Sequence, residues 1–136
     1  MNSIILNSLK NKLIGNIEDT SFDDEFLDII NYIISGPLSQ IGFNTDVKVN
    51  KDTKWEDLTD DNKLLDDLKI YIQYRLKVTF DPSASQQINN IQQDIIKEAE
   101  YRIMVYLKTG WEGGEISKCY QTLQYLNTML PSEIKL

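Results

Sequence analysis

Two long amphipathic stretches meet at Asp81-Pro82, and this junction restricts the folds open to the chain more than any other feature. Proline has no amide hydrogen to give a helix, and the residue before it avoids the α region. The stretch upstream, roughly residues 60–80, carries Leu65, Leu68, Ile72 and Leu76 on one stripe. Leu64, Tyr71 and Val78 recur on an adjacent stripe, so the apolar face is broad, as in the central helix of a bundle. Thr59 or Asp60 is placed to cap it, acids crowd its first turns, and Arg75 and Lys77 sit in its last ones. That polarity complements the helix dipole at both ends. Downstream, Ser83-Ala84-Ser85-Gln86 has the form of a capping box. The helix it starts carries Ile88, Ile91, Ile95, Ala99, Ile103 and Tyr106 on one face, and Asn89, Asn90, Gln93, Lys97 and Glu100 on the other. A connection this short folds the two helices back on each other, antiparallel.

The remaining elements are shorter. Residues 3–14 read as a helix with Ile5, Leu6, Leu9 and Leu13 on one side, ended by Gly15. Ser21 is a suitable N-cap for a second helix, whose first turn holds Asp23, Asp24 and Glu25. Phe22, Phe26, Ile29, Ile30 and Ile33 form its inward stripe, and Pro37 must kink or stop it. Residues 43–58 are irregular: Asp46-Val47-Lys48-Val49 alternates like a short extended piece, and Thr53-Lys54-Trp55-Glu56 reads as a capped single turn. Gly110-Trp111-Glu112-Gly113-Gly114 breaks the pattern as a hinge before a last amphipathic helix with Cys119, Tyr120, Leu123, Leu126, Met129 and Leu130, stopped by Pro131. The expected fold is all-α. It is a small antiparallel bundle of four to five helices, with a long irregular loop before the central helix and a hinged C-terminal helix. Residues 1–110 form the bundle and 111–136 the extension.

Charge narrows the function classes. The formal net charge is −7, but residues 18–67 hold 14 acids against 4 bases, a local −10, which leaves +3 for the rest. A surface this acidic repels phosphate, since nucleic-acid affinity comes from displacing counterions with Lys and Arg. Groove binding to DNA is therefore not the expected role. An acidic face can dock a basic partner, line a passage through which DNA slides, or serve only to keep the chain soluble. No stretch approaches the ~20 apolar residues of a membrane span. The N-terminus has no basic region leading into an apolar one, so no signal peptide is expected. The cytosol or a virion fits this sequence better than secretion does.

Catalytic chemistry is hard to place. The sequence has no histidine, which removes the commonest general base, the usual zinc nitrogen ligand and the histidine-dependent nucleophile arrangements. Its single cysteine, Cys119, fits a small buried hydrophobe better than a reactive thiol. The acid pairs Asp23/Asp24, Asp60/Asp61 and Asp66/Asp67 are adjacent in sequence, so on a helix they diverge instead of converging on a substrate or metal. No cofactor or metal is expected. The aromatics say more, because Trp55 lies in a loop and Trp111 among glycines. With Tyr120, Leu123, Leu126 and Met129 they are the candidate protein interface. The plainer alternative is that they fold back on the bundle.

The middle of the chain resembles a known family. Ile72-Gln73-Tyr74-Arg75-Leu76-Lys77-Val78-Thr79-Phe80-Asp81-Pro82, then residues 91–98 and Glu100-Tyr101-Arg102-Ile103, resemble the head–tail connector (adaptor) proteins of long-tailed phages. The helix Asp23-Asp24-Glu25-Phe26-Leu27-Asp28-Ile29-Ile30 also sits where that family has one. The similarity covers roughly residues 20–105. It departs at Ser83, where the family often has a second proline, and beyond Gly110. The resemblance implies a structural virion subunit that assembles in the host cytoplasm and sits at the portal vertex. It implies a homo-oligomeric ring, commonly dodecameric, between the portal protein and a downstream neck or tail protein, extending the DNA channel without binding DNA specifically. On this reading Phe80, Asp81, Pro82 and Arg102 determine the fold, and some of Asp23, Asp24, Asp28, Asp60, Asp61, Asp66 and Asp67 face the channel. The rival from the residues alone is a small acidic regulatory or inhibitor module that occupies a basic surface of another protein.

Overall fold

In the computed structural model, which describes residues 4–109, four α-helices follow one another: α1 (Ile5–Leu13), α2 (Asp23–Ile33), α3 (Asn62–Phe80) and α4 (Gln86–Thr109). No strand occurs among the described residues, so the all-α expectation holds. Helix α3 is central. It packs along α4 on one side and against α2 on the other, and α1 closes over α2. Leu68, Tyr71, Ile72 and Leu76 on α3 are fully buried, together with Phe26 and Ile30 of α2, Ile5 of α1 and Ile103 of α4.

The hairpin forms where the sequence breaks. Asp81 leaves the helical region with φ −144° and ψ 72°, while its amide still donates to the Lys77 carbonyl at 2.9 Å. The cap of α4 sits two residues later than the sequence pattern suggests, because the Ser85 hydroxyl, not that of Ser83, accepts from the Ile88 amide at 3.3 Å. Asn89 holds the turn to the helix, donating to the Ser83 carbonyl at 2.7 Å and accepting from the Ser83 amide at 3.0 Å. Phe80 lies edge-on to Phe26 and Phe22, with centroids 4.5 and 5.1 Å apart, and so ties the end of α3 to the start of α2. Helices α2 and α3 are therefore antiparallel as well.

Several local expectations shift. Ser21 does not cap α2; its amide donates to Asp19 instead, and the helix starts at Asp23 without a side-chain cap. Phe22 is 38% exposed and joins the Phe80 cluster at its edge. Pro37 does not stop the chain's helical course, which passes through one π-helical turn, Ile34–Leu38. A wider turn gives the proline ring room that an α-turn lacks. Closure comes at Gly42, whose φ of +107° suits glycine. The Phe43 amide donates to the Leu38 carbonyl at 2.9 Å and the Gly42 amide to Ser39 at 3.1 Å, with Leu38 and Phe43 both buried beneath the reversal.

The long loop is pinned rather than loose. Asn31 on α2 accepts from the Val49 amide at 2.8 Å and donates to the Val49 and Leu27 carbonyls at 3.0 Å each. The alternating piece around Val47 thus finds a side-chain amide instead of a second strand. Phe43, Val49, Thr53, Trp55 and Leu58 are buried. The single turn expected near Trp55 is a 3-10 helix, Trp55–Asp57, and its reciprocal bond comes one residue late, from the Lys54 amide to the Asp57 carboxylate at 2.9 Å. Helix α3 is capped by Asp61 rather than Thr59 or Asp60, its carboxylate accepting from the Lys63 and Leu64 amides.

Candidate functional site

The seven acids singled out in the sequence do not form one patch. Asp24 and Asp28 are exposed on α2, and Asp60 and Asp66 are exposed around the start of α3. The antiparallel packing set by Phe80 puts these two pairs at opposite ends of α3, a 19-residue helix about 28 Å long. The other three acids are engaged within the fold. Asp23 is buried beside the buried Lys10 of α1, with Nζ 2.9 Å from Oδ1 but too oblique for a directed hydrogen bond. Asp61 caps α3 and also accepts from the Tyr106 hydroxyl of α4. That phenol, with the Leu64 and Lys63 amides, holds its carboxyl below the usual range. Asp67 faces α4, where burial pushes its carboxyl upward against the pull of Arg102.

These contacts belong to a polar ladder along the α3–α4 seam. Arg102 lies 3.9 Å from Asp67 and 2.7 Å from Glu98, so its guanidinium serves both helices. One turn along α3, the Tyr71 hydroxyl donates to Glu100 at 3.0 Å and accepts from Arg75 Nε at 2.9 Å. Burial dominates the Tyr71 environment and raises its phenol to about 12. Asp61–Tyr106, Asp67–Arg102 and Tyr71–Glu100 step along the two helices in opposite directions, as an antiparallel register requires. The ladder fixes that register between otherwise interchangeable apolar turns. Arg102 thus acts inside the hairpin, and Phe80, Asp81 and Pro82 act at its tip.

The aromatic candidates divide. Trp55 is only 3% exposed, beneath the Lys69 ammonium, which lies 5.9 Å from the ring centroid. In this fold it is a core residue, not an interface residue, because the short helical turn that carries it points inward. Trp111, Tyr120, Leu123, Leu126 and Met129 lie outside the described residues. Two features were missed in the sequence. The Ile88 and Ile91 side chains, placed from the sequence on one face with Ala99 and Ile103, are 47% and 53% exposed, whereas Ile96, Ala99 and Ile103 further along α4 are buried. An open groove of about 450 Å³ also runs beside the π-helical turn, lined by Ile34, Ser35, Ser39, Phe43, Asn44, Thr45 and Asp46.

Among the described residues no group of three or more Asp, Glu or Cys is placed to hold a metal ion, and no helix is long and apolar enough to cross a membrane. What the geometry offers is a helical hairpin braced against α2, with exposed acids near both ends of α3 and an exposed Lys77–Asp81 ion pair at its tip. That is equipment for contact with other macromolecules. A family model described as phage connector protein matches residues 5–110 of the chain. No curated protein and no solved structure matches the chain.

Proposed function

The chain belongs to the phage connector protein family, a family of structural phage proteins, and from that membership we propose that it is a subunit of an oligomeric ring joining the portal to the neck or tail. The carrying observation is that the family match, residues 5–110, coincides with the bundle described over residues 4–109. The match therefore rests on the whole helical body and not on one helix-turn-helix. In this reading the subunit is a virion component whose partners are further copies of itself, commonly twelve, the portal protein and a downstream neck or tail protein.

The exposed acids support a passage role, with Asp24 and Asp28, or Asp60 and Asp66, turned to a lumen where repulsion keeps DNA from sticking. Residues 111–136 form a separate extension on this proposal, joined to the bundle at the glycine hinge. The chain has no part in chemistry here; it holds a joint.

Imaging of portal-containing particles tests the proposal. Density for this bundle in symmetric copies beneath the portal is the expected result. Particles with a complete neck and no density for the chain would sink it, as would stoichiometric recovery with a host protein and no association with virions.

A further inference from the structure

Two surface features of the bundle have complementary shapes. The first turns of α4 project Ile88 and Ile91 into solvent. From Pro82 to Gln93 the sequence has no Asp, Glu, Lys or Arg, although charged residues make up 26% of the chain. Depletion of charge around bare aliphatic side chains is the character of an interface centre. The second feature is concave. The groove of about 450 Å³ beside the π-helical turn has Ile34 and Phe43 in its lining, and a further hollow of about 220 Å³ shares Ile34, Ser35 and Thr45 with it.

The groove suits an apolar occupant because its hydroxyls are already bonded within the chain. Ser35 donates to the Asn31 carbonyl at 2.9 Å, Ser39 donates to Asn44 Oδ1 at 3.0 Å, and Thr45 accepts from the Val47 amide at 3.2 Å. Displacing water from them strands no donor that the fold has not already used. Asp46 is the one charged residue lining the groove, and the first turn of α4 contains no acid. The positive end of the α4 dipole is therefore left for a carboxylate such as Asp46 beside the seated isoleucines.

Ridge and groove cannot meet within one chain. Gly42, next to Phe43, lies against α4 so closely that a Cβ there would stand 3.7 Å from Leu107 Cδ1. Leu107 is 16 residues beyond Ile91, about 24 Å along the helix. We propose that the Ile88–Ile91 ridge of one copy seats in the groove beside the π-helical turn of a second copy. The contact is heterologous, head to tail, the kind that closes into a ring when the rotation between copies closes. It rests on the ring reading for its partner and adds to it the two surfaces that join the copies.

Disulfide trapping in portal-containing particles that carry the full-length chain tests it. With Cys119→Ser removing the native thiol, Ile91→Cys and Ser39→Cys on one chain should give a ladder of linked multimers on a non-reducing gel after mild oxidation. A disulfide needs Cα atoms within about 7 Å, so the separation along α4 rules out an internal link. Particles that contain this variant but show no ladder would overturn the contact and leave the ring standing. Absence of the unaltered chain from particles would instead sink the ring, and the contact with it. Ile91→Cys without the second cysteine should stay unlinked; dimers there would mean ridge against ridge and overturn the head-to-tail pairing. Gln93→Cys, on the far side of α4, paired with Ser39→Cys should also stay unlinked, and an equal ladder would mean random collision and overturn it. A second measurement needs no cysteine. Ile88→Ser with Ile91→Ser, and separately Ser35→Trp in the groove, should each keep the helical circular dichroism of the native chain while its copies per particle fall about tenfold. Native incorporation of either folded variant would contradict the contact.

Discussion

Lys10 and Asp23 show how a residue's role can differ from the one its local sequence suggests. Asp23 opens a helix in an acid-rich run, where a carboxylate needs only the helix dipole and water. The structure instead buries it against Lys10, which is 2% exposed, and so fastens α1 to α2. Two ions removed from water are costly, and the pair is tolerable only while both members remain. Asp23→Ala is therefore expected to destabilise by about 3–5 kcal/mol, because it strands the ammonium. The double replacement Lys10→Met with Asp23→Leu should recover most of that loss. Equilibrium urea unfolding checks both, and a single variant as mild as the double would refute the account. The same burial means that Asp23 cannot belong to an acidic lining while α1 is in place.

At the scale of elements, Asn31 decides the state of the long loop. Its amide satisfies both backbone groups of Val49, 18 residues away, as a neighbouring strand would. Asn31→Ala should leave the hairpin intact but release the loop, costing about 1–3 kcal/mol of local stability. Hydrogen exchange would read this as faster exchange over residues 43–58 with α3 and α4 unchanged; uniform loss across all helices would contradict it. The sequence made the four helices legible, because 3.6-residue periodicity and the Asp81-Pro82 and Gly15 stops are local signals. It offered Thr59 or Asp60 as the cap of α3 and missed Asp61, whose carboxylate can accept the same amides. The choice falls to Asp61, which Tyr106 also reaches from α4. Nor could it show where along α4 burial begins: Ile96, Ala99 and Ile103 are buried, whereas Ile88 and Ile91, nearer the hairpin tip, are exposed.

For the whole molecule, the acidity has two addresses rather than the one its clustering in residues 18–67 suggests. Sequence proximity placed Asp24, Asp28, Asp60 and Asp66 together, but the antiparallel course of α2 and α3 separates them to opposite ends of the central helix. A subunit with one end toward a passage and the other toward a neighbour would use the two pairs differently. Reversing either pair to lysine moves the formal net charge from −7 to −3, at exposed positions where substitution is well tolerated. If one pair lines the channel, its reversal should slow or arrest DNA release from triggered particles, because lysines at the wall attract phosphate that the native acids repel. High salt should partly restore release by screening that attraction. Reversal of the other pair should leave release normal and, if that end meets a partner, reduce the copies of the chain in purified particles. Normal release and normal incorporation for both pairs would assign the acids to plain solvation and remove the passage argument, leaving the family relationship to stand on the bundle alone.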